Sequence, residues 1–182
     1  MSVSELSTST QNYLKAIWGL KEWSSEPVTA TLIAKQLGLK LSSVSDAVRK
    51  MAKQGLVSHT PYGSVELTEL GRQYALVMVR RHRLLESFLV QALGYTWDEV
   101  HNEAENLEHA VSDMLIERVD KFLDYPTRDP HGDPIPTVDG QITIPSAHRL
   151  TDSSAQSQVT VERISDSDPQ LLKFLEERGI VT

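Results

Sequence analysis

The 182-residue sequence contains no cysteine. Disulfides, zinc–thiolate sites and cysteine nucleophiles are therefore all excluded, and a reducing cytoplasm fits. Long apolar runs are missing as well. The longest, Ala75 to Val79, falls far short of the ~20 residues a membrane-spanning helix needs. The first residues, Met-Ser-Val-Ser-Glu, lack the basic stretch and apolar core of a secretory signal. Positive charge is scarce overall, with a formal net charge of −7, which on its own argues against a simple nucleic-acid binder. Its distribution argues otherwise. Residues 1–72 carry eight Lys/Arg against six Asp/Glu, and residues 73–182 carry ten against nineteen. A mildly basic front on an acidic body is compatible with a DNA-reading head. Hydrophobic and charged contents of 40% and 24% are ordinary for a globular chain.

Helical spacing dominates what is present. Tyr13, Leu14, Ile17, Trp18 and Leu20 predict a helix over about 8–23, ended by Ser24-Ser25-Glu26-Pro27. Leu32, Ile33 and Leu37 mark a second, with Gly38 as its stop. A third carries Val44, Val48 and Met51 on one face, with Ser42 as the expected N-cap. Short alternating strands around Pro61-Tyr62-Gly63 read as a hairpin. Thr68 then caps a long helix, about 69–93, ending at Gly94. A further single helix is expected over about 98–123. Residues 125–140, rich in Pro, Gly and Asp, read as a loop. A strand is expected over Val159–Ile164 and a short helix over Pro169–Arg178.

Three helices followed by a hairpin is the order of a winged helix-turn-helix. Its third helix suits the major groove. Ser42, Ser43 and Ser45 permit close approach and can bond phosphates or bases. Arg49, Lys50 and Lys53 can neutralise phosphates, which dominate affinity. Asp46 repels phosphate but can accept from cytosine N4. Tyr62, at the hairpin tip, could touch the adjacent backbone. A helical bundle with an ordinary solvated face accounts for much of the same pattern.

A second constellation lies near residue 100. On one helix His101, Glu105, Glu108 and His109 would cover an arc of roughly 100°, at the edge of an apolar stripe. The preceding helix offers His82 and Glu86 at i and i+4. Imidazole and carboxylate together suit a first-row divalent metal. Such pairs also occur on exposed helices that bind nothing. No His-Glu-x-x-His, serine elbow, P-loop or dinucleotide fingerprint is present. A small metalloenzyme is the alternative from another class, as is a metal-storage or adaptor module.

Three stretches resemble the diphtheria toxin repressor family of metalloregulators, particularly its actinobacterial manganese branch. They are Val79–Glu86, Trp97–Asp113 and Asp129–Pro136. The resemblance implies a mainly α fold: a winged helix-turn-helix domain over 1–73, a helical metal-binding and dimerisation domain over 74–140, and a partial SH3-like segment over 141–182. It implies a homodimer that binds a pseudo-palindromic operator in double-stranded DNA, represses metal-homeostasis genes and is not an enzyme. Glu105, Glu108 and His109 match the family's regulatory site, with a further ligand at the position of Asn12. His82, Glu86 and His101 match its second site, and Asp166, Asp168 and Gln170 are candidates for ligands from the C-terminal segment. Close relatives carry Asp at the position of Asn12, and iron sensors carry Met there and Cys at the position of Glu105. Oxygen donors at both points favour Mn²⁺ over Fe²⁺. Asn12 brings no charge, so a weakened metal response is the alternative within the family. Lys15 stands where some manganese regulators place an acid, so a binuclear site using that acid is not expected.

Overall fold

The structure is a computed structural model of the chain and describes residues 3–60 and 63–182. It divides into two compact units, Met1–Val79 and Arg80–Thr182.

In the first unit, α1 (Thr8–Glu22), α2 (Ala30–Leu37) and α3 (Leu41–Lys53) precede a two-stranded antiparallel sheet, β1 (Val57–His59) and β2 (Val65–Leu67). The register pairs Val57 with Leu67 and His59 with Val65. Ser7 and Thr29 cap α1 and α2 through their hydroxyls. Gly38, at φ 64°, ends α2 in the left-handed conformation, which glycine adopts without Cβ strain. Tyr13, Leu14 and Ile17 from α1, Ile33 from α2, and Val44, Val48 and Met51 from α3 are buried in one core with Val57 and Val65. Each fully buried aliphatic side chain contributes about 1.5–3 kcal/mol, which fixes the polar side of α3 outward. The amide of Val65 donates to Val28 O at 2.8 Å and docks the hairpin.

α3 starts one residue before the expected cap. Lys40 occupies the N-cap without a side-chain hydrogen bond, and Ser42 lies inside the first turn. The apolar Leu41 is half-exposed, so helix entry here follows from burial of Val44 and not from a hydroxyl cap. Tyr62 and Pro61, the expected hairpin tip, lie outside the described residues. Thr68 does cap α4 (Glu69–Leu93): its hydroxyl donates to Gly55 O at 2.7 Å and accepts from the Gly71 amide at 3.1 Å.

In the second unit the expected single helix is two, α5 (Trp97–Leu107) and α6 (Asp113–Phe122). Two features break it. Ser112 caps α6 by accepting from Leu115 N at 3.2 Å. Arg81, 1% exposed, donates to Glu108 O at 3.3 Å and to Asp113 at 2.7 Å, clamping the turn between. The core here is Leu84, Leu85 and Leu89 of α4 with Val100, Ala104, Ile116, Val119 and Ile135. Arg80 and Arg83 donate to the carbonyls of Pro136 and Pro134 at 2.7 and 2.6 Å, tying the 129–136 loop to α4.

The expected strand over Val159–Ile164 does not form. The segment has no regular secondary structure, and among the described residues no strand pairs with it. Its Ile164 amide donates to His131 O at 2.9 Å. α7 (Pro169–Glu176) follows, capped by Asp168, and packs on α5. Among the described residues of 141–182 there is no strand, so the expected SH3-like segment shows no sheet.

Candidate metal centre and nucleic-acid interface

Within the second unit the side chains of α4 and α5 converge. His82 and Glu86 stand one turn apart on α4, with His82 Nε2 at 3.0 Å from Glu86 Oε1. His82 Nδ1 lies 2.7 Å from Glu108 Oε2, and its Nε2 lies 3.3 Å from His101 Nδ1. His101 Nε2 is 3.7 Å from Glu105 Oε1, and its Nδ1 is 3.1 Å from Asp166 Oδ2. Three sets can each place one donor atom per residue within 4.8 Å of the others: His82, Glu86, His101 and Asp166; His82, Glu105 and Glu108; and Glu86, Asp129 and His131.

The sequence had indicated most of these residues, but not Asp129 or His131. Both sit in the Asp-Pro-His-Gly-Asp turn, where Asp129 Oδ1 accepts from the amides of His131 and Asp133 at 2.9 Å each. His131 Nε2 faces Trp97 O at 3.3 Å, leaving Nδ1 toward Glu86 Oε2 at 3.9 Å. Those last two atoms are buried and make no hydrogen bond. His109 stays outside all three sets; it lies past the end of α5, with Nε2 at 3.5 Å from Glu108 Oε1. Asp168 accepts from the Gln170 and Leu171 amides, which makes it a helix cap, and Gln170 is exposed in the first turn of α7. On α1, the Asn12 carbonyl oxygen is buried without a hydrogen bond.

The electrostatics are those of a site short of positive charge. Burial alone would push the Glu86 carboxyl up, but His82 and His101 outweigh it and hold it well below its usual range. Burial would lower the His101 pKa, yet Asp166 and Glu86 raise it to about 10. His101 in turn keeps Asp166 low against its own burial. Asp129 is held well above the ordinary carboxylate range by burial and by the charges of Glu86 and Asp133. Imidazoles and carboxylates clustered this closely, with a buried carboxylate oxygen and ring nitrogen lacking hydrogen bonds, fit a divalent cation.

In the first unit α3 presents Ser42, Ser43, Asp46, Arg49, Lys50 and Lys53 to solvent. Ser45 is half-buried and its hydroxyl donates back to Leu41 O at 2.9 Å. Arg49 is paired with Asp46 on the same helix face.

Residues 5–65 match the family model described as the iron-dependent repressor N-terminal DNA-binding domain. Residues 68–137 match the iron-dependent repressor metal-binding and dimerisation domain. The chain belongs to the iron-dependent repressor family. This repressor is 36% identical to the iron-dependent repressor IdeR of Mycobacterium tuberculosis, over 98% of its own length and 83% of the relative's. It is 36% identical to the diphtheria toxin repressor of Corynebacterium diphtheriae, over 75% of its length and 60% of that protein's. Among solved structures, a manganese-dependent transcriptional repressor in complex with manganese superposes with a TM-score of 0.90 at 53% identity, covering 94% of this chain and 79% of that one. ScaR with bound Zn²⁺ superposes at 0.80 with 33% identity, covering 95% and 80%. The family is one of metal-dependent, DNA-binding transcriptional repressors with a dimerisation domain, so the metalloenzyme and storage alternatives fall away. Among the described residues no helix is long and apolar enough to cross a membrane.

Proposed function

We propose that the chain is a manganese-responsive repressor of metal-homeostasis genes, acting in the cytoplasm as a homodimer on a pseudo-palindromic operator. One observation carries the choice of ion: every side chain in the clusters offers nitrogen or carboxylate oxygen, with Glu105 where an iron sensor would carry a thiol. Such donors favour a harder ion than a thiolate site does. The resemblance to a repressor whose structure is in complex with manganese supports the same choice.

In this reading residues 1–73 read DNA, residues 74–140 hold metal and the partner subunit, and residues 141–182 form a C-terminal segment that supplies Asp166. Glu105 and Glu108, with His82, form one metal-holding group. His109 and Asn12 are proposed as its further ligands. His82, Glu86, His101 and Asp166 form the second, next to Asp129 and His131. A bound divalent cation supplies positive charge among carboxylates that otherwise repel one another. Ser42, Ser43, Ser45, Asp46, Arg49, Lys50 and Lys53, together with Tyr62, are proposed to face the operator. Lys50 and Lys53 are the phosphate contacts, and Asp46 a base contact. Leu93, Met114 and Phe122, each a large apolar side chain more than half exposed in the unit that carries the dimerisation domain, are proposed for the dimer seam.

Metal and operator binding are linked by a single coupling energy, typically about 1–3 kcal/mol. Operator duplex selected from a random library, titrated with and without Mn²⁺, tests the reading. Affinity should rise at least about fivefold with Mn²⁺. Equal affinity in both conditions refutes it.

A further inference from the structure

Asp166 has no regular secondary structure to hold it, yet it lies 3.1 Å from His101. Something outside its own segment must place it there. We propose that residues 162–166 are a strap, and that Arg163, Asp133 and Gly132 are the positioning residues that hold Asp166 on the His82–Glu86–His101 group.

The strap is fixed at consecutive points to one turn. Arg128 pairs with the Glu162 carboxylate at 2.8 Å and donates to its carbonyl at 3.2 Å. Arg163 Nε donates to Asp133 Oδ1 at 2.5 Å, both side chains being more than nine-tenths buried. The Ile164 amide donates to His131 O, and the Ile164 side chain is 7% exposed. Gly132 makes the close approach possible. It sits at φ 84°, and a Cβ there would collide with the Glu162 carbonyl oxygen. Only glycine satisfies both conditions at this position.

The turn is itself fixed to the helix that carries the metal group. Asp133 divides its carboxylate: Oδ1 takes Arg163, and Oδ2 takes Arg83 Nη2 at 3.1 Å. Arg83 stands beside His82 on α4 and also lies 3.6 Å from Asp129. Two buried guanidinium groups therefore meet two buried carboxyls, and contacts run unbroken from α4 through Asp133 and Arg163 to the strap. From Arg163 the chain reaches Asp166 in three residues, at most about 10 Å, so the ion pair sets where Asp166 can stand. Groups that orient ligands from behind typically change metal affinity about 10–100-fold when removed.

The proposal rests on the reading that this group binds a divalent cation, and its test separates the two. Mn²⁺ alone is titrated into the full chain and its Arg163→Ala, Arg163→Lys, Gly132→Ala and Asp166→Asn variants, with free Mn²⁺ followed by electron paramagnetic resonance. Exchange of the Ile164 amide is measured in the metal-free proteins. Asp166→Asn, Arg163→Ala and Gly132→Ala should each weaken one class of site about tenfold or more, and Arg163→Lys should restore most of the loss. Ile164 should exchange faster in Arg163→Ala and Gly132→Ala but not in Asp166→Asn. Should Gly132→Ala fail to fold, the Arg163 pair decides alone. If Asp166→Asn weakens binding and Arg163→Ala does not, the strap is overturned while the metal reading stands. If Asp166→Asn has no effect on a chain that binds Mn²⁺, the strap is overturned with its premise about Asp166. A wild-type chain that binds no Mn²⁺ overturns the proposed function and the strap together.

Discussion

Mn²⁺ uptake should release a proton from His101, and the affinity should therefore climb with pH. Metal-free, His101 sits between Asp166 and Glu86 with a pKa of about 10, so it is cationic at neutral pH. An imidazole must be neutral to offer a lone pair. Below about 10 each unit of pH then changes the apparent affinity about tenfold through this group, or about a hundredfold between pH 6.5 and 8.5. Glu86 and Asp166 are held below their usual range and stay ionised over that span, adding no slope. Calorimetry in buffers of different ionisation enthalpy should return about one proton released per ion at this group. Asp166→Asn removes the first partner that raises His101 and should flatten the profile while also weakening binding. The metal-free fold carries the reverse sign. His101 binds its proton more tightly folded than unfolded, so its contribution is fully present below about pH 6.5 and is lost as pH rises through about 10. An affinity that stays flat from pH 6.5 to 8.5, with no proton released, refutes the reasoning.

Asn12→Asp should tighten Mn²⁺-dependent operator binding, because a charged oxygen replaces the buried neutral one; unchanged Mn²⁺ dependence in a shift assay would remove Asn12 from the ligand set. Lys50→Ala should weaken binding to all duplexes alike and lower the salt slope by about one, read from affinities across a salt series. Arg81→Ala should destabilise the metal-free chain by about 1–3 kcal/mol in urea unfolding, because the Glu108 carbonyl loses a charged donor while the Asp113 carboxylate, largely exposed, returns to water. Phe122→Asp, at a side chain 67% exposed, should shift sedimentation toward monomer without lowering helix content.

What could be read in the chain was whatever is written at helical spacing. The core residues of α1 to α3, the Thr68 cap and the Gly38 and Gly94 stops are local signals. The break at 108–112 depends on Arg81, 27 residues back, and Ser112 looks like any polar residue inside a helix until Leu115 N finds it. Val159–Ile164 begins with the alternation of a strand, yet strand formation needs a neighbouring strand to pair with, and the segment has instead the Ile164 amide on the His131 carbonyl. On the metal side, the i and i+4 pairs placed His82, Glu86, His101 and Glu105 together. His109, one residue past the Glu108 that caps the end of α5, stands outside the three sets. Asp129 and His131 stand in a stretch that resembles the family, but a turn has no periodicity to show which way its side chains aim. Their signal was compositional: a histidine between two aspartates in a proline–glycine turn.

Glu86 has two oxygens, and each faces a different set of neighbours. Oε1 faces His82 and His101, while Oε2 points at His131 from 3.9 Å. The two sets therefore cannot be adjusted separately. Rotating this carboxylate to improve one side withdraws it from the other, and replacing it alters both at once. A change of ion preference in this protein would have to be made at the outer members, Asp166 on one side or Asp129 on the other, leaving the common residue between them untouched.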